Sequence, residues 1–116
     1  MNDLAYNESI RDLLVDLAAL NPQVGPIEFC CMWFDDFYFP GRSLPAKYPR
    51  DVWERGQLEW RGCFNARELE VLARFHDAFA SQVDALPVAG EWEQDLGWKT
   101  VSKAARAALD DLGLPV

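Results

Sequence analysis

Several kinds of residue on which common functional sites depend are scarce in this chain of 116 residues. It has one histidine, His76, and three cysteines, Cys30, Cys31 and Cys63, with no Cys-x-x-Cys or His-x-x-x-His spacing that would suit zinc. Neither Gly-x-Gly-x-x-Gly nor Gly-Lys-Ser/Thr occurs, so no glycine-rich phosphate loop is expected. We therefore predict no bound metal and no cofactor.

Long hydrophobic runs are also missing. No stretch reaches the roughly 18 apolar residues of a membrane span, and Asp12 and Asp16 interrupt the only candidate for a secretory leader. An odd number of cysteines with one vicinal pair is a poor disulfide framework, whereas reduced, buried thiols fit a cytosolic protein. The sequence thus predicts a cytoplasmic protein that does not bind membranes.

Positive charge is in deficit, with 19 acidic against 11 basic residues and a net charge of −8. Binding to nucleic acid depends on clustered Lys and Arg, so direct binding is not expected, and a basic protein partner is favoured instead. The net charge is −6 over 1–40, +3 over 41–67 and −5 over 68–116. The basic middle can also simply neutralise its acidic flanks within one fold.

The length fits a single globular domain, 1–116. Apolar residues recur at helical spacing from Asn7 to Leu20, and again in a helix that Asn65 and Glu68 open as a capping box and that continues to Leu86-Pro87. The last helix begins near Asp95 and stops at Gly113.

The segment 27–39 is apolar on every side and shows no clean period. Pro26 at its start and a length of about thirteen residues favour a buried helix, while its aromatic content favours a strand. Residues 41–64 contain two prolines and three glycines, so we expect an irregular segment with a short turn of helix near Val52. The predicted fold is mainly α, a small bundle of three to four amphipathic helices; the alternative is α+β with a short strand pair in 41–64.

Two surface features suggest a binding site for a protein. Glu8, Asp12 and Asp16 stand four residues apart on one helix face, where like charges repel, although a solvated face is the simpler interpretation. The stretch Glu91-Trp92-Glu93-Gln94-Asp95 sets a tryptophan among three acids, as interface anchors often are. Alternatively, Trp92 packs on the bundle and the acids favour the start of the last helix. Asp35 and Asp36 either join these acids or pair with arginines of 42–67.

An acidic, single-domain helical protein with acid-and-tryptophan surface loops resembles the bacterial toxin-immunity proteins. The stretch Asp35-Asp36-Phe37-Tyr38-Phe39-Pro40 is similar to the aromatic-aromatic-proline stretch with nearby acids of the colicin-nuclease immunity family, but here the acids precede the aromatics. The resemblance implies a non-catalytic inhibitor that neutralises a basic toxin domain. On this hypothesis the partner-binding residues are the acids named above together with one tryptophan: Glu8, Asp12, Asp16, Asp35, Asp36, Glu91, Trp92, Glu93 and Asp95.

Two other functions compete with this hypothesis. The first is a small-ligand or catalytic domain whose pocket is lined by Trp33, Phe37, Tyr38 and His76, which predicts a cleft with a convergent polar group. A pairing of one of the cysteines with His76 would supply a nucleophile, but aromatic surroundings would raise the thiol pKa. The second is an acidic mimic of DNA, which eleven interspersed basic residues disfavour.

Overall fold

A computed structural model describes residues 3–41 and 49–114, and the side chains of 7–40 and 49–114. Within these ranges the regular structure is helical, and no strand is present. The mainly α prediction is confirmed, and the strand pair in 41–64 has no counterpart in the described part of that segment. In the same ranges, no helix combines the length and apolar character needed to cross a bilayer.

Three long helices form the centre of the fold. These are α1 (Asp3–Ala19), α4 (Ala66–Val83) and α5 (Leu96–Asp111). The carbonyl of Ala18, near the end of α1, accepts hydrogen bonds from Ser102 and Arg106 of α5, while residues at the start of α1 lie beside Leu112. Thus α1 runs antiparallel to α5. α4 is also antiparallel to α5, since Arg74 pairs with Asp111 at one end and Phe79 meets Trp98 at the other.

The helix ends agree in part with their sequence signals. Asn65 accepts from the backbone N–H of Glu68 while Glu68 accepts from that of Asn65, so the capping box is confirmed. Gly113 adopts a left-handed φ of 73° after α5, as predicted for a C-cap. Two predicted bounds were wrong. α1 begins at Asp3 rather than near Asn7, and α4 ends at Val83 rather than continuing to Leu86-Pro87.

The aromatic segment is helical, as predicted, but in two forms. A short α-helix, α2 (Pro26–Cys30), continues as a π-helix over Cys31–Phe37, and a 3₁₀ turn follows at Phe39–Gly41. In a π-helix the backbone bonds join residues five apart, and here Tyr38 donates its N–H to the carbonyl of Trp33. This geometry stacks the rings of Trp33 and Tyr38 with their centroids 5.0 Å apart, and both side chains are buried.

The middle of the chain contains one helix that the sequence analysis missed. α3 spans Arg50–Gly62, where only a short turn near Val52 was expected. Its inner side presents Trp53, Gln57 and Trp60, followed by Phe64, at i, i+4, i+7 and i+11, which is the spacing of one helix face. Residues 42–48 of the predicted irregular segment lie outside the described residues.

One hydrophobic core joins these elements. Its largest fully buried side chains come from every α-helix in the described ranges and from the π-helix, among them Leu14, Phe29, Trp33, Trp60, Phe75 and Trp98. The 3₁₀ turn Trp92–Gln94, just before α5, closes one end of this core.

Candidate functional site

The acidic face of α1, defined by Glu8, Asp12 and Asp16, lies on the solvent side of that helix. Glu8 and Asp12 are exposed and Asp16 is half-buried, because the opposite side of α1 carries its fully buried residues. Arg11 is drawn to Asp12, with 3.5 Å between its Nη2 and the Asp12 Oδ1. The predicted row is therefore formed as the sequence spacing indicates.

Helix stability does not explain this acidic face. Carboxylates four residues apart repel each other, and a carboxylate near a helix C-terminus meets the negative end of the helix dipole. Asp16 lies close to that terminus, and α1 has no basic residue in its last turn. The side chain of Asp16 accepts a long hydrogen bond from that of Asn21, at 3.4 Å, and Arg106 of α5 brings a positive charge to the nearby carbonyl of Ala18. The mutual repulsion within the row therefore remains a small cost to the helix.

Asp35 and Asp36 lie on the π-helix, and both are exposed. The π-helix packs against α1, so these carboxylates and the acidic face of α1 belong to two elements in direct contact. The structure therefore brings five of the predicted partner-binding residues onto neighbouring elements: Glu8, Asp12, Asp16, Asp35 and Asp36.

The segment 91–95 departs from the prediction. Trp92 is only 6% exposed, with its ring centroid 5.0 Å from that of Trp98 and 5.9 Å from that of Phe29. The prediction that Trp92 anchors a partner is therefore wrong, because the large apolar ring gains more by burial in the core. Asp95 caps α5, accepting from the backbone N–H of Trp98 at 3.2 Å.

The two glutamates of this segment differ from each other. Glu91 is exposed, and Glu93 is half-buried in the 3₁₀ turn. Of the four partner-binding residues predicted in this stretch, Glu91 is the exposed one.

A basic row on α5 was missed by the sequence analysis. Lys99, Lys103 and Arg106 are all exposed and recur at i, i+4 and i+7, a spacing that places them on one helix face. Arg106 is near enough to α1 to donate to the carbonyl of Ala18 at 3.1 Å. Regional net charge concealed this row, because acids elsewhere in 68–116 outnumber its three bases. The packed helices α1 and α5 thus carry rows of opposite charge, a bipolar pattern.

The residues of the alternative pocket mostly pack on each other. Trp33 donates its indole N–H to Nδ1 of His76 at 3.2 Å, and the rings of Tyr38 and His76 stack with centroids 4.3 Å apart. Rings at this separation are in van der Waals contact, so no ligand fits between them. Phe37 is half-buried against the core.

Cys30 lies in surroundings that disfavour its thiolate. Burial raises the pKa of the Cys30 thiol to about 11, with smaller contributions from Cys31 and Asp35. Cys63 donates its thiol to the carbonyl of Glu59. In the part of the chain that the structure describes, no group of three His, Cys, Asp or Glu side chains is placed to hold a metal ion.

Comparisons with models of protein families, with curated proteins and with solved structures gave no match for this chain. Its function is therefore argued from the arrangement of its own residues.

Proposed function

We propose that this protein is a non-catalytic protein-binding inhibitor of the immunity type, which neutralises a basic bacterial toxin domain in the cytoplasm. The observation that carries the proposal is the acidic face of α1, whose charges repel each other and are offset on α1 itself by Arg11 beside Asp12. A basic partner would relieve that repulsion on binding. Asp35 and Asp36, on the π-helix that packs against α1, and the exposed Glu91 are the further acids of this proposal.

The basic row of α5 fits the same function. Complementary charge across an interface speeds association and excludes partners of the wrong pattern more than it adds affinity. A surface with acids on α1 and bases on α5 orients a partner that carries both positive and negative charges. A uniformly acidic surface would not orient such a partner. This bipolar pattern supports a specific protein partner over a DNA mimic.

The experiment begins with the isolation of the partner. The protein, immobilised, is exposed to a lysate of its source, and the retained protein is identified, purified and assayed for toxicity when expressed with and without this chain. We expect a basic protein whose toxicity this chain suppresses. An acidic partner, or a toxicity that this chain leaves unchanged, would contradict the proposal.

Two variants of equal charge then test the surface. In one, Glu8→Gln, Asp12→Asn and Asp16→Asn neutralise the acidic face; in the control, Glu59→Gln, Glu70→Gln and Asp84→Asn neutralise three exposed acids away from α1 and α5. We expect the first variant to slow association about tenfold at low salt, because electrostatic steering is lost, and the control to change it far less. Equal rates for the two variants would refute a role for α1.

A further inference from the structure

An apolar cleft opens beside the acidic face of α1. It has a volume of about 190 Å³ and lies where the first half of α1 meets the start of α4 and the turn after α5. Its apolar lining combines buried and half-buried side chains: Ile10, Phe64, Leu72, Leu112 and Leu114. For comparison, an apolar protein cavity of about 150 Å³ holds one benzene molecule. The cleft thus has room for one large apolar or aromatic side chain.

The charged residues that line the cleft favour an occupant that has basic residues beside it. Glu8, a member of the acidic face, is one of its lining residues, and Glu68 is another. One carboxylate oxygen of Glu68 accepts from the backbone of Asn65 at 2.8 Å, but the group keeps its negative charge. Among the described residues that line the cleft, the base is Arg11, and it is drawn to Asp12.

We infer that this cleft receives a large apolar side chain of the basic partner, flanked in the partner by Lys or Arg. The inference rests on the proposed function and specifies its contact. An apolar anchor in a pocket surrounded by polar residues is the usual centre of binding energy in protein interfaces, while the charges around it chiefly set the rate of encounter. The cleft would therefore control how long the partner stays bound, and the acidic face how fast it arrives.

Two matched peptides test the cleft separately from the charge. The probes are the acetylated, amidated pentapeptides Lys-Lys-Phe-Lys-Lys and Lys-Lys-Ala-Lys-Lys, titrated into the isotope-labelled protein while NMR follows the methyl groups of Ile10 and Leu72. Because the phenyl group is buried in the cleft and the alanine methyl group leaves it largely empty, we expect the Phe peptide to bind at least about tenfold tighter. Equal affinities of the two peptides would overturn the inference.

Variants locate the site of this difference. Leu112→Phe fills the cleft, and Leu58→Phe is the control because Leu58 is 70% exposed on α3, outside the cleft. The Phe-to-Ala affinity ratio should fall towards one in Leu112→Phe and persist in Leu58→Phe. If Leu112→Phe does not fold, Asn7→Phe fills the cleft from its other side. A ratio that survives the filling of the cleft would overturn the inference.

Failure of the proposed function would give a different result. Glu8→Gln together with Asp12→Asn should weaken both peptides by a similar factor and reduce the salt dependence of binding, since the charge acts on both alike. If these substitutions change neither affinity, the acidic face is not a docking surface, whatever the affinity ratio. If they weaken both peptides but the ratio is one, the acidic face stands and the cleft does not.

Discussion

Trp33 of the π-helix donates its indole N–H to Nδ1 of His76 on α4, a bond of 3.2 Å between residues 43 positions apart in the chain. Because Nδ1 accepts, the proton of the neutral imidazole stands on Nε2. Stacking of Tyr38 on the same ring adds a second contact. The single histidine thus joins two elements as a neutral group.

This arrangement predicts that acid destabilises the fold through His76. Burial lowers the pKa of His76, and the nearby Asp77 only partly opposes that effect. The folded state therefore binds this proton less readily than the unfolded state, whose His pKa is about 6.5. The stabilising contribution is complete above that pH and is lost as the pH falls through the folded-state pKa, where protonated Nδ1 can no longer accept from Trp33.

The measurement is the free energy of unfolding between pH 8 and pH 5, for the wild type and for His76→Gln. Gln keeps an acceptor for Trp33 but does not titrate in this range. We expect the wild type to lose more stability than the variant as the pH falls below about 6.5. Parallel curves would show that His76 is not the titrating group.

The form of the aromatic segment shows where prediction from sequence reached its limit. Pro26 and the segment length predicted a helix correctly, since a proline fits a first helical turn. The π-helix could not be predicted, because it depends on tertiary contacts and not on the local spacing of residues. Trp33 and Tyr38 both contact His76, and residues five apart must share a helix face for this to happen.

α3 was missed for a different reason. Its inner-face spacing is present in the sequence, but Gly56 and Gly62 predict breaks in any long helix there. Glycine inside a helix costs about 1 kcal/mol relative to alanine, which burial of a residue such as Trp60 outweighs. The spacing of its three acids was sufficient to predict the acidic face. The position of Trp92 could not be predicted, because sequence does not show whether an aromatic ring in a loop packs against the core.

The buried position of Trp92 predicts a large effect on stability. Trp92→Ala removes a ring in contact with Phe29 and Trp98, and truncation of a buried aromatic residue costs roughly 3–5 kcal/mol. Chemical denaturation measures the loss. Leu96→Ala is the control, because Leu96 is 79% exposed and should change stability by less than about 0.5 kcal/mol. A small loss for Trp92→Ala would place this ring outside the core.

Two glycines should respond to alanine in opposite directions. Gly56 lies inside α3 with no atom within 4 Å of an added Cβ, so Gly56→Ala should stabilise the protein by about 1 kcal/mol. Gly113 has equal space but a φ of 73°, so Gly113→Ala should destabilise it by about 1 kcal/mol. Thermal unfolding of both variants measures the sign of each change in stability. A shift of the same sign in both would contradict the conformation of Gly113 or the helical state of α3.

The carbonyl of Ala18 near the end of α1 has two hydrogen-bond donors on α5. It accepts from Ser102 Oγ at 2.8 Å and from Arg106 Nη2 at 3.1 Å, and Ala18 is buried. Ser102→Ala leaves one donor, so it should cost about 1 kcal/mol, and Ser81→Ala, whose hydroxyl bonds only within its own helix, should cost less. Adding Arg106→Met leaves the carbonyl without either donor. The double variant should therefore lose more stability than the sum of the two single variants, and simple additivity in a double-mutant cycle would show that the two donors do not share this acceptor.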